Sequence, residues 1–172
     1  MGAVQREGCK RHIQRNGFTL LEMLIVVTII ALLSGIVFPV LASSEDSAFD
    51  ARRAADLRQV QKALETYKAG NGAYPTTGGS WFGDSPANGA YSYTGPGGYI
   101  PGLAPGYLVT LPRDPDKEYP DALFGYMYRS DGFDYKFVLD GTPDSHRTYN
   151  QFEDPVRPGV AWMVSTDAAK NW

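Results

Sequence analysis

The chain has 172 residues and a formal net charge of −3, enough for one modest domain beside a membrane segment and short of two full cores. That charge is unevenly divided: residues 1–17 hold Arg6, Lys10, Arg11 and Arg15 against Glu7, leaving twelve basic and eighteen acidic side chains in the remainder. An acidic body is a poor electrostatic match for nucleic acid. With Cys9 as the only cysteine, the body holds neither an intramolecular disulfide nor a thiolate site.

Lysine and arginine stay on the cytoplasmic side of a membrane, so the basic head reads as a cytoplasmic anchor. Behind it, Met23–Ala42 reads MLIVVTIIALLSGIVFPVLA, twenty residues without a charge. At about 1.5 Å per residue such a helix spans roughly 30 Å, the hydrocarbon thickness of a bilayer. Thr28, Ala31, Ser34 and Gly35 are small enough to let a second helix approach closely. Three readings fit this head and run. One is a secretory signal cut between Ala42 and Ser43, and another is a plain membrane anchor. Both leave Glu22, a carboxylate at the edge of the apolar run, without a purpose.

The third reading gives Glu22 one. Gly17-Phe18-Thr19-Leu20-Leu21-Glu22, between a basic leader and an apolar helix, resembles the cleavage motif of type IV prepilins. The resemblance implies a membrane peptidase that cuts between Gly17 and Phe18 and then N-methylates Phe18. An ionised group at mid-bilayer costs about 2.5–3.5 kcal/mol on insertion scales, and Glu22 needs a counter-ion. Cleavage would make one: the new amine of Phe18, within one chain or on an incoming subunit. The resemblance implies the second pairing, with Phe18 and Glu22 setting the axial position of subunits in a filament. It also marks Pro39 as an assembly residue, in a segment that bends or melts, since proline removes a helical hydrogen bond.

Residues 43–70 continue as a polar helix in which Leu57, Val60, Leu64 and Tyr67 recur at steps of three and four, a narrow seat for a sheet. Ser43 or Ser44 is a candidate cap for a fresh start, and continuity with the preceding helix fits equally. Gly70-Asn71-Gly72 stops the helix. From Asn71 to Pro105 the chain is rich in Gly, Pro and Tyr, with Asn88-Gly89 a turn signal; Trp81, Phe82, Tyr91, Tyr93 and Tyr99 are expected to pack over the sheet, the alternative being that they face a neighbouring subunit. The rest reads as β, beginning with Leu108–Leu111. Gly125–Arg129 and Phe133–Leu139 flank Ser130-Asp131-Gly132, a hairpin signal. Phe133, Tyr135, Phe137 and Leu139 alternate with Asp134, Lys136 and Val138, which predicts one buried face. Val160–Val164 is a candidate last strand. Tyr74-Pro75-Thr76 and Leu111-Pro112-Arg113-Asp114-Pro115 are similar to stretches of the major pseudopilins of type II secretion.

Chemistry is sparse. Asp144-Ser145-His146 is too short for an acid–base–nucleophile line, and no P-loop, paired-histidine or dinucleotide motif occurs. No catalytic residue and no enzyme activity are expected. Asp131, Asp134, Asp140 and Asp144 form a thin acidic cluster. The pseudopilin resemblance implies calcium near the last strands, but the glycine- and aspartate-rich spacing is missing here. Calcium therefore stays a possibility without ligands, and no metal or cofactor is assigned.

The expected fold is α+β and pilin-like: a long amino-terminal helix, half transmembrane and half amphipathic, packed on a small antiparallel sheet with long loops. The expected segments are a leader at 1–17, a transmembrane and assembly helix at 18–42, its amphipathic continuation at 43–70 and a head at 71–172. The resemblance implies a filament subunit of a type II secretion pseudopilus that supports protein export. The expected partners are prepilin peptidase, an inner-membrane assembly platform, copies of the chain itself and minor pseudopilins. The expected location is the inner membrane, crossed once, with the amino terminus cytoplasmic and the head periplasmic or extracellular. A type IV pilin for adhesion, motility or DNA uptake shares every amino-terminal residue used here. A Sec-exported binding protein stays as the alternative from another class.

Overall fold

The computed structural model describes residues 17–115, 125–141 and 149–172, with positions 36–43 and 45 described through their backbone only. Helix α1 runs over Leu20–Asn71, and the chain divides into two compact units between Leu41 and Ala42. The helical assignment passes through Ser43, Ser44 and Pro39 without a break, so neither serine caps a fresh start.

In the first unit the described side chains from Leu20 to Leu33 are exposed on all sides of the helix. Leu24, Ile25, Val26, Val27, Ile29 and Ile30 are each about half exposed, the pattern of a helix apolar all round. Its polar side chains turn inward on the backbone: Thr28 Oγ1 donates to the Ile25 carbonyl and Ser34 Oγ to the Ile30 carbonyl, both at 2.8 Å. Neither hydroxyl then needs water. Among the described residues no helix is long and apolar enough to cross a membrane. The expected twenty-residue span ends inside positions 36–43, whose side chains lie outside the described set.

In the second unit the expected stripe is the seat of the core. Leu57, Val60 and Leu64 are fully buried, with Ala54 and Ala63 beside them and Tyr67 at the margin. Each fully buried aliphatic side chain contributes about 1.5–3 kcal/mol. The helix stops as its sequence requires: Gly72 takes a left-handed φ of 80° and donates to the Lys68 carbonyl at 2.8 Å, a glycine cap.

Against this stripe lies an antiparallel four-stranded meander of β1 (Phe82–Gly83), β2 (Gly125–Ser130), β3 (Tyr135–Asp140) and β4 (Ala161–Ser165). Tyr126, Tyr128, Tyr135, Phe137, Leu139, Trp162 and Val164 face the helix, in one cluster with Tyr99, Ile100 and Leu103 from the loop. Of the loop aromatics, Tyr99 is wholly buried and Phe82 stacks on Tyr91 at 4.2 Å. Tyr93 stays partly exposed under the Arg113 guanidinium.

Three expectations about the β region change. Leu108–Leu111 is irregular rather than a strand: Leu108 and Leu111 are buried in the core, while Val109 between them is exposed. Phe133 belongs to the hairpin turn and is 81% exposed. The outer face of the sheet is also buried: Met127, Val138, Ala161 and Met163 form a second cluster with Trp81. Arg129 lies over the rings of Trp81 and Trp172, at 5.9 and 4.9 Å. Lys136, expected at a solvent face, is fully buried there with Asp154.

Candidate functional site

The motif that stood out in sequence sits where the backbone changes state. Gly17, Phe18 and Thr19 precede the helix and are not helical, and Leu20 begins it. Phe18 is 79% exposed and Leu20 86%, while nothing lies within 4 Å of the position a Cβ on Gly17 would take. The Gly17–Phe18 peptide is therefore open, irregular backbone, the type of segment that proteases engage.

Thr19 and Glu22 close this start on themselves. The Thr19 amide and its hydroxyl both donate to Glu22 Oε2 at 2.8 Å, and the Glu22 amide donates to Thr19 Oγ1 at 3.2 Å. This is a reciprocal capping box, with Thr19 at the N-cap and Glu22 three residues on. It satisfies two of the orphan amides of the first turn and places a negative group at the positive end of the helix. Sequence reasoning missed Thr19, although threonine-x-x-glutamate before an apolar run is itself a readable signal. Among the described residues Oε1 of Glu22 accepts no hydrogen bond. One carboxylate oxygen is thus used locally and the other remains open.

Pro39 lies within α1 by its backbone, and its side chain falls outside the described set. The structure therefore brings Gly17, Phe18 and Glu22 together at one helix end and leaves Pro39 about four to five turns away along the chain.

The other charged groupings are structural. Arg53 donates from Nε and Nη2 to the two oxygens of Asp114, each at 2.9 Å, and from Nη1 to Asp50 at 3.1 Å. This buried two-pronged pairing, the strong form of an arginine–carboxylate contact, ties the loop before Pro115 to the helix. Lys136 Nζ donates to Asp154 Oδ1 at 2.8 Å and to the main-chain oxygens of Lys170 and Trp172 at 3.1 and 2.9 Å.

The acidic cluster disperses. Asp131 Oδ1 accepts from the Phe133 and Asp134 amides, which hold its carboxyl below the usual range. Asp140 pairs with Arg157 at 3.1 Å, and Asp144 and His146 lie outside the described residues. Among those described, no three acidic, histidine or cysteine side chains are grouped to hold a metal.

A family model described as the prokaryotic N-terminal methylation motif matches residues 14–38, which covers the whole of the helix start just described. The type II secretion system core protein G of Aeromonas hydrophila is 33% identical over 102 residues, 59% of this chain and 68% of that protein. The chain belongs to the type II secretion system core protein G family. Two other members agree: that of Vibrio cholerae serotype O1, 34% identical over 108 residues (62% of this chain, 68% of that protein), and that of Klebsiella pneumoniae, 33% over 104 (59% and 69%). No solved structure gives a significant match.

Proposed function

We propose that this chain is a filament subunit of a type II secretion pseudopilus, inserted in the inner membrane through residues 18–42. Prepilin peptidase would cut between Gly17 and Phe18 and methylate the new amine. The freed subunit would pack by its amino-terminal helix, the head remaining outside the membrane. The observation that carries this reading is the coincidence, in one short segment, of the methylation motif with an exposed non-helical Gly17–Phe18 bond and a capped apolar helix.

Glu22 has two tasks in this account. Its Oε2 holds the first turn, and its Oε1 is open to the Phe18 amine of an incoming subunit. An ammonium delivered there neutralises a carboxylate that otherwise costs free energy at the bilayer boundary, and it does so only when the subunits are in step. The role is mechanical: helices form the fibre core, and heads cover it to support protein export on the assembly platform, with minor pseudopilins as further partners. The shared name of the relatives favours the pseudopilus over a type IV pilus.

Co-expression with a prepilin peptidase tests the first step. The wild-type chain should lose the mass of residues 1–17, and Gly17→Leu, which adds a branched side chain beside the bond to be cut, should remain a precursor. Equal processing of both chains would contradict the assignment of the cleavage site.

A further inference from the structure

Two side chains of the head are exposed against every packing preference of their type. Val109 is 85% exposed and Phe133 is 81%, while among the described residues of the head the other exposed large apolar side chains reach 48% at most. Single exposed apolar residues need no explanation, but the surroundings of these two are complementary. Val109 forms part of a groove of about 480 Å³ with Tyr93, Tyr107 and Leu111, and Arg52 and Arg113 stand on the same groove. Arg52 is exposed and the Arg113 side chain is 43% exposed. Of the carboxylates near them, Asp114 and Asp84 are buried, Asp84 lying 4.0 Å from Arg113; half-buried Asp56, which also lines the groove, accepts from the Tyr126 hydroxyl at 3.1 Å. The groove thus shows an apolar floor and basic edges.

Phe133 has the converse character. It crowns the β2–β3 turn between Asp131 and Asp134, and that turn is tied by its own hydrogen bonds. Both following amides donate to Asp131 Oδ1, at 2.9 and 2.8 Å, and the Ser130 hydroxyl donates to the Asp134 carbonyl at 2.7 Å. The Tyr74 amide donates to the Gly132 carbonyl at 2.8 Å, which holds the turn beside the end of the helix. Arg52 stands about 28 Å back along that helix from Asn71, at about 1.5 Å per residue. The knob cannot reach the groove of its own chain. It can reach that of another copy shifted along the axis, a head-to-tail contact that repeats without closing and builds a fibre.

We infer that the Phe133 turn of one subunit docks into the Val109 groove of a second copy, with Asp131 and Asp134 meeting Arg52 and Arg113. The inference rests on the filament reading above and adds a contact between the heads of successive copies to the one between helices. A buried aromatic anchor in a pocket with charges at its rim is the usual arrangement of a binding hot spot.

The test uses the full chain, with Cys9→Ser, expressed together with a secretion apparatus. Val109→Cys and Phe133→Cys are made singly and together, and sheared fibres are oxidised and run without reductant. The double variant should give a ladder of covalent multimers, and each single variant should stay monomeric. Intact fibres without a ladder, or a cross-link only to some other protein, would overturn the docking. Absence of fibres even from the unaltered chain would overturn the filament reading beneath it. Should the double cysteine chain fail to assemble, a charge exchange decides. Arg52→Glu should lower fibre yield about fivefold, the worth of an exposed ion pair, and Asp134→Arg in the same chain should restore it. Failure to restore yield counts against the docking.

Discussion

Thr19 and Glu22 hold each other at the helix start through three hydrogen bonds, two of which end on the same carboxylate oxygen, Oε2. A local cap and an intersubunit ion pair are therefore separable by mutation. Glu22→Gln keeps an oxygen acceptor for the cap and removes the charge. Leader removal should continue in that variant while fibre yield falls to background. Thr19→Ala should cost about 1 kcal/mol of helix stability and leave fibres in place. Fibres from the glutamine variant, quantified after shearing, would contradict the ion pair.

The Arg53–Asp114 pairing predicts a stability effect far from the membrane helix. Asp114→Ala removes two hydrogen bonds from a buried guanidinium, and breaking such a pair costs about 3–5 kcal/mol. Denaturant unfolding of the full chain in detergent should show a lower midpoint and an unfolding free energy reduced by that amount, with leader cleavage unaffected.

Lys136 fastens the 166–172 segment to the outer face of the sheet through the main-chain oxygens of Lys170 and Trp172. Lys136→Met keeps the length and volume of the side chain but leaves Asp154 without its ammonium. Loss of about 3–5 kcal/mol is expected, together with faster tryptic cutting at the exposed Lys170. Unchanged proteolysis would contradict the fastening role.

Asp84 is buried, and among the described residues neither of its carboxylate oxygens accepts a hydrogen bond. The guanidinium of Arg113 stands 4.0 Å away. Burial raises its carboxyl from the ordinary 3.8 to about 6, against a smaller opposing pull from Arg113. A raised pKa means that the folded state prefers the protonated acid. Stability is then fully retained below pH 3.8 and declines as pH rises toward 6. Asp84→Asn should stabilise the head by about 2–3 kcal/mol at pH 7, and the gain should vanish near pH 4. A gain independent of pH would assign it to packing instead.

Periodicity made the helix seat legible: Leu57, Val60 and Leu64 lie at helical spacing, and all three are buried. The turn residues were equally plain at Gly72 and at the β2–β3 hairpin. Lys136 was misplaced because alternation along a strand reports one buried face. Here the covering of the second face comes from Trp81, Trp172, Arg129 and Arg157, which sit in separate segments without any shared period. Asp114 belonged to a recognised stretch, but its partner Arg53 is 61 positions earlier, and no local pattern announces such a pair. At the candidate site Gly17, Phe18 and Glu22 were readable because their meaning lies in adjacency. Thr19 was hidden by the stronger pattern around it.

Mass spectrometry of the amino terminus of chain recovered from fibres tests the central claim most directly. The account predicts N-methylated Phe18 as the first residue. A chain that still carries residues 1–17, or one that begins at Ser43, would contradict it.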